Sequence, residues 1–157
     1  MWQLLINLLV LQLIKPTDSK RSQPSKALQF GSTWDDYVEF YPDMRPMRYA
    51  FTICAWVKKG LEGSERSWIS YTRLDGYPSE IDIADDGSSN SVQGWSFNVR
   101  SRVSVPLHTW THQCNTWRAT TGNVTVYYNG TLIGSYDRST QRPLIERGYF
   151  HLGDTPT

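Results

Sequence analysis

The stretch NVTVYYNGTLIGSY, residues 123–136, decides the fold. Val124, Val126 and Tyr128 alternate with their neighbours up to Asn129-Gly130, and Leu132 resumes on the far side. Asn-Gly supplies the two positive φ values that a type I′ hairpin turn requires. Two antiparallel strands joined by a two-residue turn are therefore expected here. The same period of two extends outward through the chain. In RYAFTICAWVK, residues 48–58, Tyr49, Phe51, Ile53, Ala55 and Val57 share one face, and Thr52, Cys54 and Trp56 share the other. Both faces carry large apolar groups, as in a strand held inside a sandwich. Further strands are expected at 37–40, 67–71, 80–84, 95–99 and 109–117, divided by clusters of Gly, Asn, Asp, Ser and Pro. Beyond the N-terminus no window long enough for a helix has helical spacing. The reading is all-β: a two-sheet antiparallel jelly-roll sandwich.

Composition agrees. The 157 residues suit one domain with a short appendage, and 39% hydrophobic against 20% charged residues allows a packed core. The formal charge is +1 and the 16 basic residues are scattered, so no field favours nucleic acid. Aromatics reach 13%, including seven Trp and nine Tyr, which fill the space between sheets or serve a sugar-binding surface. Residues 1–14, MWQLLINLLVLQLI, are nearly all apolar but too short for a span of ~20 residues. The segment 1–16 reads as a signal peptide, the alternatives being a buried N-terminal strand or helix and a misplaced start codon. Residues 17–26 follow as a polar linker, and residues 27–157 form the domain.

The two cysteines, Cys54 and Cys114, are too few for a four-ligand zinc site, leaving buried thiols or a disulfide. A secretory route favours the disulfide. On a strand, His112, Cys114 and Thr116 face one way and Gln113, Asn115 and Trp117 the other. His112 beside a cysteine raises nucleophilic chemistry, which a disulfide would abolish. Two sequons, Asn123-Val124-Thr125 and Asn129-Gly130-Thr131, offer Asn123 and Asn129 for glycosylation.

The run His112-Gln113-Cys114-Asn115-Thr116-Trp117 resembles the pentraxin signature, His-x-Cys-x-Ser/Thr-Trp, at all four defining positions: His112, Cys114, Thr116 and Trp117. Phe51-Thr52-Ile53-Cys54-Ala55-Trp56 resembles the strand holding the family's other half-cystine, and Ala27-Leu28-Gln29-Phe30 its opening strand. The resemblance implies a concanavalin A-like, laminin-G-like jelly roll that is incomplete at the C-terminus of this chain. Strands without partners would then expose side chains such as Trp56 and Phe150. It further implies a Cys54–Cys114 bridge, secretion, carbohydrate or phosphorylated ligands, a homo-oligomer and calcium. Calcium wants six to eight oxygens. Of the carboxylates expected on the family's two loops, this chain offers Asp75 and Asp154, with Pro78-Ser79 standing where an Asp-Asn pair would.

No phosphate-cradling glycine loop, Gly-x-Ser-x-Gly or His-Glu-x-x-His occurs, so the chain reads as a binding module rather than an enzyme. Two alternatives stand beside it. Glu80 and Asp82 share a strand face, as the acids of a jelly-roll glycoside hydrolase would; or the chain is an ectodomain module of a larger adhesion receptor.

Overall fold

A computed structural model describes residues 2–5, 27–30, 36–41, 47–60, 66–74, 79–94, 97–137, 142–144 and 147–153. Twelve strands run through them: β1 (Trp2–Leu5), β2 (Leu28–Phe30), β3 (Tyr37–Phe40), β4 (Ala50–Lys59), β5 (Arg66–Arg73), β6 (Ile81–Asp85), β7 (Asn90–Gly94), β8 (Phe97–Arg100), β9 (Thr111–Arg118), β10 (Asn123–Tyr128), β11 (Thr131–Tyr136) and β12 (Gly148–Gly153). All the strand pairs are antiparallel, and they form two six-stranded sheets. Sheet A has the order β11-β10-β9-β4-β1-β2, and sheet B the order β3-β12-β5-β6-β7-β8. No helix occurs among the described residues, and none is long and apolar enough to cross a membrane.

Alternation sends one set of side chains between the sheets. From sheet A, Phe51, Val57, Trp117, Val124 and Val126 are buried; from sheet B, Ile69, Tyr71, Ile81, Ile83, Val92, Phe150 and Leu152 join them in one core. Phe51 stacks on Trp117 at 5.6 Å, and Tyr71 packs on Phe150 at 5.0 Å. A bulge between Ser67 and Ile69 lets the consecutive residues Trp68 and Ile69 both be buried.

The hairpin forms as expected, with Asn129 at φ 49° and Gly130 at φ 80°. The strand expected at 95–99 is instead β8, Phe97–Arg100. The sequence reading missed β7, because NSVQG has a single large apolar side chain, Val92. Its polar residues are held in another way: the Asn90 amide donates to the Ala84 carbonyl at 2.9 Å. Phe150 is buried, not exposed, because β12 lies between β3 and β5; Trp56 is 37% exposed. At the N-terminus, Trp2–Leu5 pairs with β4 on one side and β2 on the other. The linker 17–26 lies outside the described residues.

Candidate functional site

The register of sheet B assembles a row of polar side chains on its outer face. Glu39 lies opposite His151, His151 opposite Ser70, Ser70 opposite Asp82, and Asp82 opposite Gln93. Five strands thus contribute one group each to a stripe that crosses the sheet. Their neighbours along each strand point into the core, which is why polar residues collect on this side.

At the β3 end the stripe is framed by tyrosines. His151 lies edge-on to Tyr37 at 4.9 Å and to Tyr149 at 4.8 Å, and Tyr41 meets Tyr149 at 5.8 Å. Glu39 ties this group together: its Oε1 accepts from the Tyr41 hydroxyl at 2.7 Å, and its Oε2 lies 3.1 Å from His151 Nε2. The Tyr41 hydrogen bond, then His151, holds the Glu39 carboxyl below its usual range, and Glu39 in turn raises Tyr41. With Nε2 as donor to the carboxylate, His151 Nδ1 is an acceptor. That atom is buried without a partner, and so is Ser70 Oγ. Two polar atoms thus sit on the stripe with unused hydrogen-bonding capacity. Asp82 accepts from Ser67 Oγ.

The Glu80 and Asp82 pair does share β6's outer direction, but Glu80 is engaged. It is 2% exposed and its Oε1 is bridged to Arg142 at 3.0 Å. Cys54 and Cys114, opposite one another on β4 and β9, are disulfide-bonded. They form, with His112, the one group of at least three His, Cys, Asp or Glu side chains close enough to hold a metal among the described residues. The bond removes both thiolates, so this is not a metal centre. Asp75 and Asp154 lie outside the described residues. The remaining acidic cluster is committed to the turn after β6. Asp85 is buried against Lys59, while Asp86 accepts from the backbone and hydroxyls of Ser88 and Ser89, which hold its carboxyl well below the usual range. No described carboxylate set fits calcium.

The signature residues divide as their alternation requires. His112, Cys114 and Thr116 are on the outer face of sheet A, where His112 lies 5.2 Å from the Trp56 ring, and Trp117 is in the core. Asn129 is exposed at the hairpin tip, with its Oδ1 accepting from His112 N at 2.9 Å; Asn123 is half-buried. Sequence reasoning missed Glu39, Ser70, Gln93 and His151, which come from strands far apart in the chain. Alternation could mark only Glu39 and Ser70 as outward-facing, since Gln93 and His151 lie on β7 and β12, outside the strands expected from the sequence.

Comparison with known proteins bears on the same fold. Residues 30–157 match the laminin-G-type family described as the concanavalin A-like lectin/glucanases superfamily. Human pentraxin-related protein PTX3 is 27% identical over 113 residues; the match takes in 70% of this chain and 30% of that protein's length. The heptameric SAP-like pentraxin of Limulus polyphemus superposes with a TM-score of 0.54 at 14% identity, covering 78% of this chain and 65% of that one. Botulinum neurotoxin type C, whose cell entry depends on two ganglioside molecules, superposes with a TM-score of 0.62 at 16% identity, covering 82% of this chain and 34% of the toxin chain.

Proposed function

The chain belongs to the concanavalin A-like lectin/glucanases superfamily, and from that premise we propose that it is a carbohydrate-binding module, not a catalyst, whose ligand lies across the outer face of sheet B. The observation that carries this reading is the stripe of Glu39, His151, Ser70, Asp82 and Gln93, brought into register from five strands. Carboxylates and an amide are the acceptors and donors that sugar hydroxyls pair with, and of the stripe Glu39 is exposed while Asp82 and Gln93 are half-buried, so these three can be reached by a ligand. Tyr41, 67% exposed beside them, offers an apolar face for a sugar ring.

Sign chooses between the ligand classes. The stripe bears two carboxylates, Glu39 and Asp82, and no lysine or arginine. A phosphorylated ligand would be repelled unless a cation intervened, so a neutral glycan is favoured. Hydrolysis is disfavoured because a general acid must reach the glycosidic oxygen, and Glu80 is buried in its ion pair with Arg142.

The relatives whose names include pentraxin also motivate a homo-oligomer and a secretory route for this chain, with the disulfide as a local support for the latter. Intact mass of the product from a secretory host tests that route. A mature N-terminus within residues 15–26 and a glycan on Asn129 are expected; retention of Trp2–Leu5 would oppose cleavage.

The binding test is titration of neutral oligosaccharides against the full chain. Gln93→Ala and Tyr41→Ala should each weaken binding about three- to tenfold, the worth of one net hydrogen bond or ring contact. Chelation with EDTA should leave binding unchanged. Affinity indifferent to both substitutions, or turnover of the oligosaccharides, would overturn the proposal.

A further inference from the structure

Sheet A also has an outer face, and it is built differently. Across the contiguous strands β4, β9, β10 and β11, Thr52 lies opposite Thr116, Thr116 opposite Thr125, and Thr125 opposite Ser135. Four hydroxyls therefore form one row, with Thr116 and Thr125 hydrogen-bonded to each other. The adjacent row holds Ala50, Arg118 and Asn123, again in register. Ala50 is too small to fill its place there, and a groove of about 610 Å³ opens over the two rows, with Tyr127 at its border. Among the described residues its lining includes one formal charge, that of Arg118, and no carboxylate.

A threonine row by itself is what a solvent-facing sheet often carries, since β-branched residues and Thr–Thr pairs stabilise strands. The groove, the exposed cation and the flanking ring distinguish this one. We propose that it is a second ligand site, for an acidic saccharide whose carboxylate or sulfate meets Arg118 while its ring hydroxyls bond along the threonine row. Neighbouring strands repeat at about 4.8 Å, close to the length of one sugar ring, so successive hydroxyls of the row match successive sugar units. Tyr127 supplies the side wall. The two outer faces then differ in sign: sheet B presents carboxylates and selects neutral glycans, and sheet A presents a guanidinium and selects acidic ones. This site stands independently of the sheet B reading.

One consequence follows for modification. Asn123 lines the groove, and a glycan on it would occupy the space, so Asn129 is the sequon that carries sugar. The exposed hairpin tip leaves Asn129 room for it.

The test is titration of the full chain with a chondroitin sulfate hexasaccharide, its desulfated form and the neutral maltohexaose, followed by backbone amide shifts. Shifts are expected at Thr52, Thr116, Arg118 and Thr125 with both acidic probes and not with the neutral one. Arg118→Gln should weaken both acidic probes about tenfold or more, as loss of a charge-assisted hydrogen bond does. Thr52→Val, which keeps shape and strand preference at an exposed position, should weaken them about threefold. Because both side chains are exposed, both variants should keep the wild-type melting temperature. Tyr41→Ala, on the other sheet, should leave the acidic probes unaffected. The proposal fails if neither acidic probe binds, if Arg118→Gln binds them as the wild type does, if Tyr41→Ala abolishes their binding, or if the secreted protein carries a glycan on Asn123.

Discussion

Asp85 has no accessible surface, and its carboxylate is met by four donors. Lys59 Nζ lies at 2.6 Å and Ser104 Oγ at 2.7 Å from Oδ1, which also accepts from Gly87 N at 2.9 Å; Val105 N reaches Oδ2 at 2.8 Å. The residue thereby joins β4, the turn after β6 and the segment approaching β9. Removing one member of such a buried pair leaves the other charge uncompensated, which costs more than the pair contributes. The two deletions should differ. Asp85→Ala takes a buried counter-charge from the Lys59 ammonium and the acceptor from two backbone donors, and should cost about 3–5 kcal/mol. Lys59→Met leaves Asp85 with three donors and fills the vacated volume, so it should cost about half as much. Urea unfolding of both variants decides this, and equal losses would show that the other donors contribute nothing. Asp85-Asp86-Gly87 opens the turn after β6, as Asp-Gly following a strand commonly does. That its first acid is the hub of a buried network was not legible, because Lys59 and Val105 are distant in the chain.

Each strand divides the work of its residues between two faces, and β9 shows this most clearly. Its burial alternates without interruption from Thr111 to Trp117, so the assignment of its outward and inward residues could be made from spacing alone. The hairpin that follows was equally legible, since only a few residue pairs accept two positive φ values. Gly130 tests that reading in isolation. A β-carbon there would meet nothing within 4 Å, so Gly130→Ala introduces no clash and reports only the cost of a side chain at φ 80°. A loss of about 1 kcal/mol is expected in chemical denaturation. An unchanged midpoint would mean that the turn does not hold its left-handed geometry in solution. The candidate site was far less legible than the strands. Glu80 and Asp82 drew attention because their spacing is visible along one strand, yet Glu80 is tied to Arg142. Ser70, Gln93 and His151 carry no local motif. They become neighbours only through the pairing of β12, β5, β6 and β7, a non-local property that no short window contains.

The chain's path explains what the disulfide does for the molecule as a whole. β4 belongs to sheet A; the chain then crosses to sheet B for β5, β6, β7 and β8, and returns to sheet A as β9 beside β4. Cys54 and Cys114 close that excursion where it leaves and re-enters, 60 residues apart and directly opposite in the register. Four of sheet B's six strands thus lie inside the covalent loop. In the unfolded chain the bond forbids those strands from separating far from the β4–β9 junction. A loop of this length is worth roughly 4 kcal/mol on the chain-entropy account. A domain of this size has a total stability of about 5–15 kcal/mol, so the bond is a large share of it. The double substitution Cys54→Ala and Cys114→Ala should therefore lower unfolding stability by about 2–4 kcal/mol. The loss should be concentrated in faster unfolding only if the β4–β9 contact forms late. If that pair nucleates the fold, folding should slow instead. Alkylation of the unreduced wild type should label neither cysteine. Labelling of both in the folded protein, or a double variant as stable as the wild type, would show that the two-sheet excursion is held by packing alone.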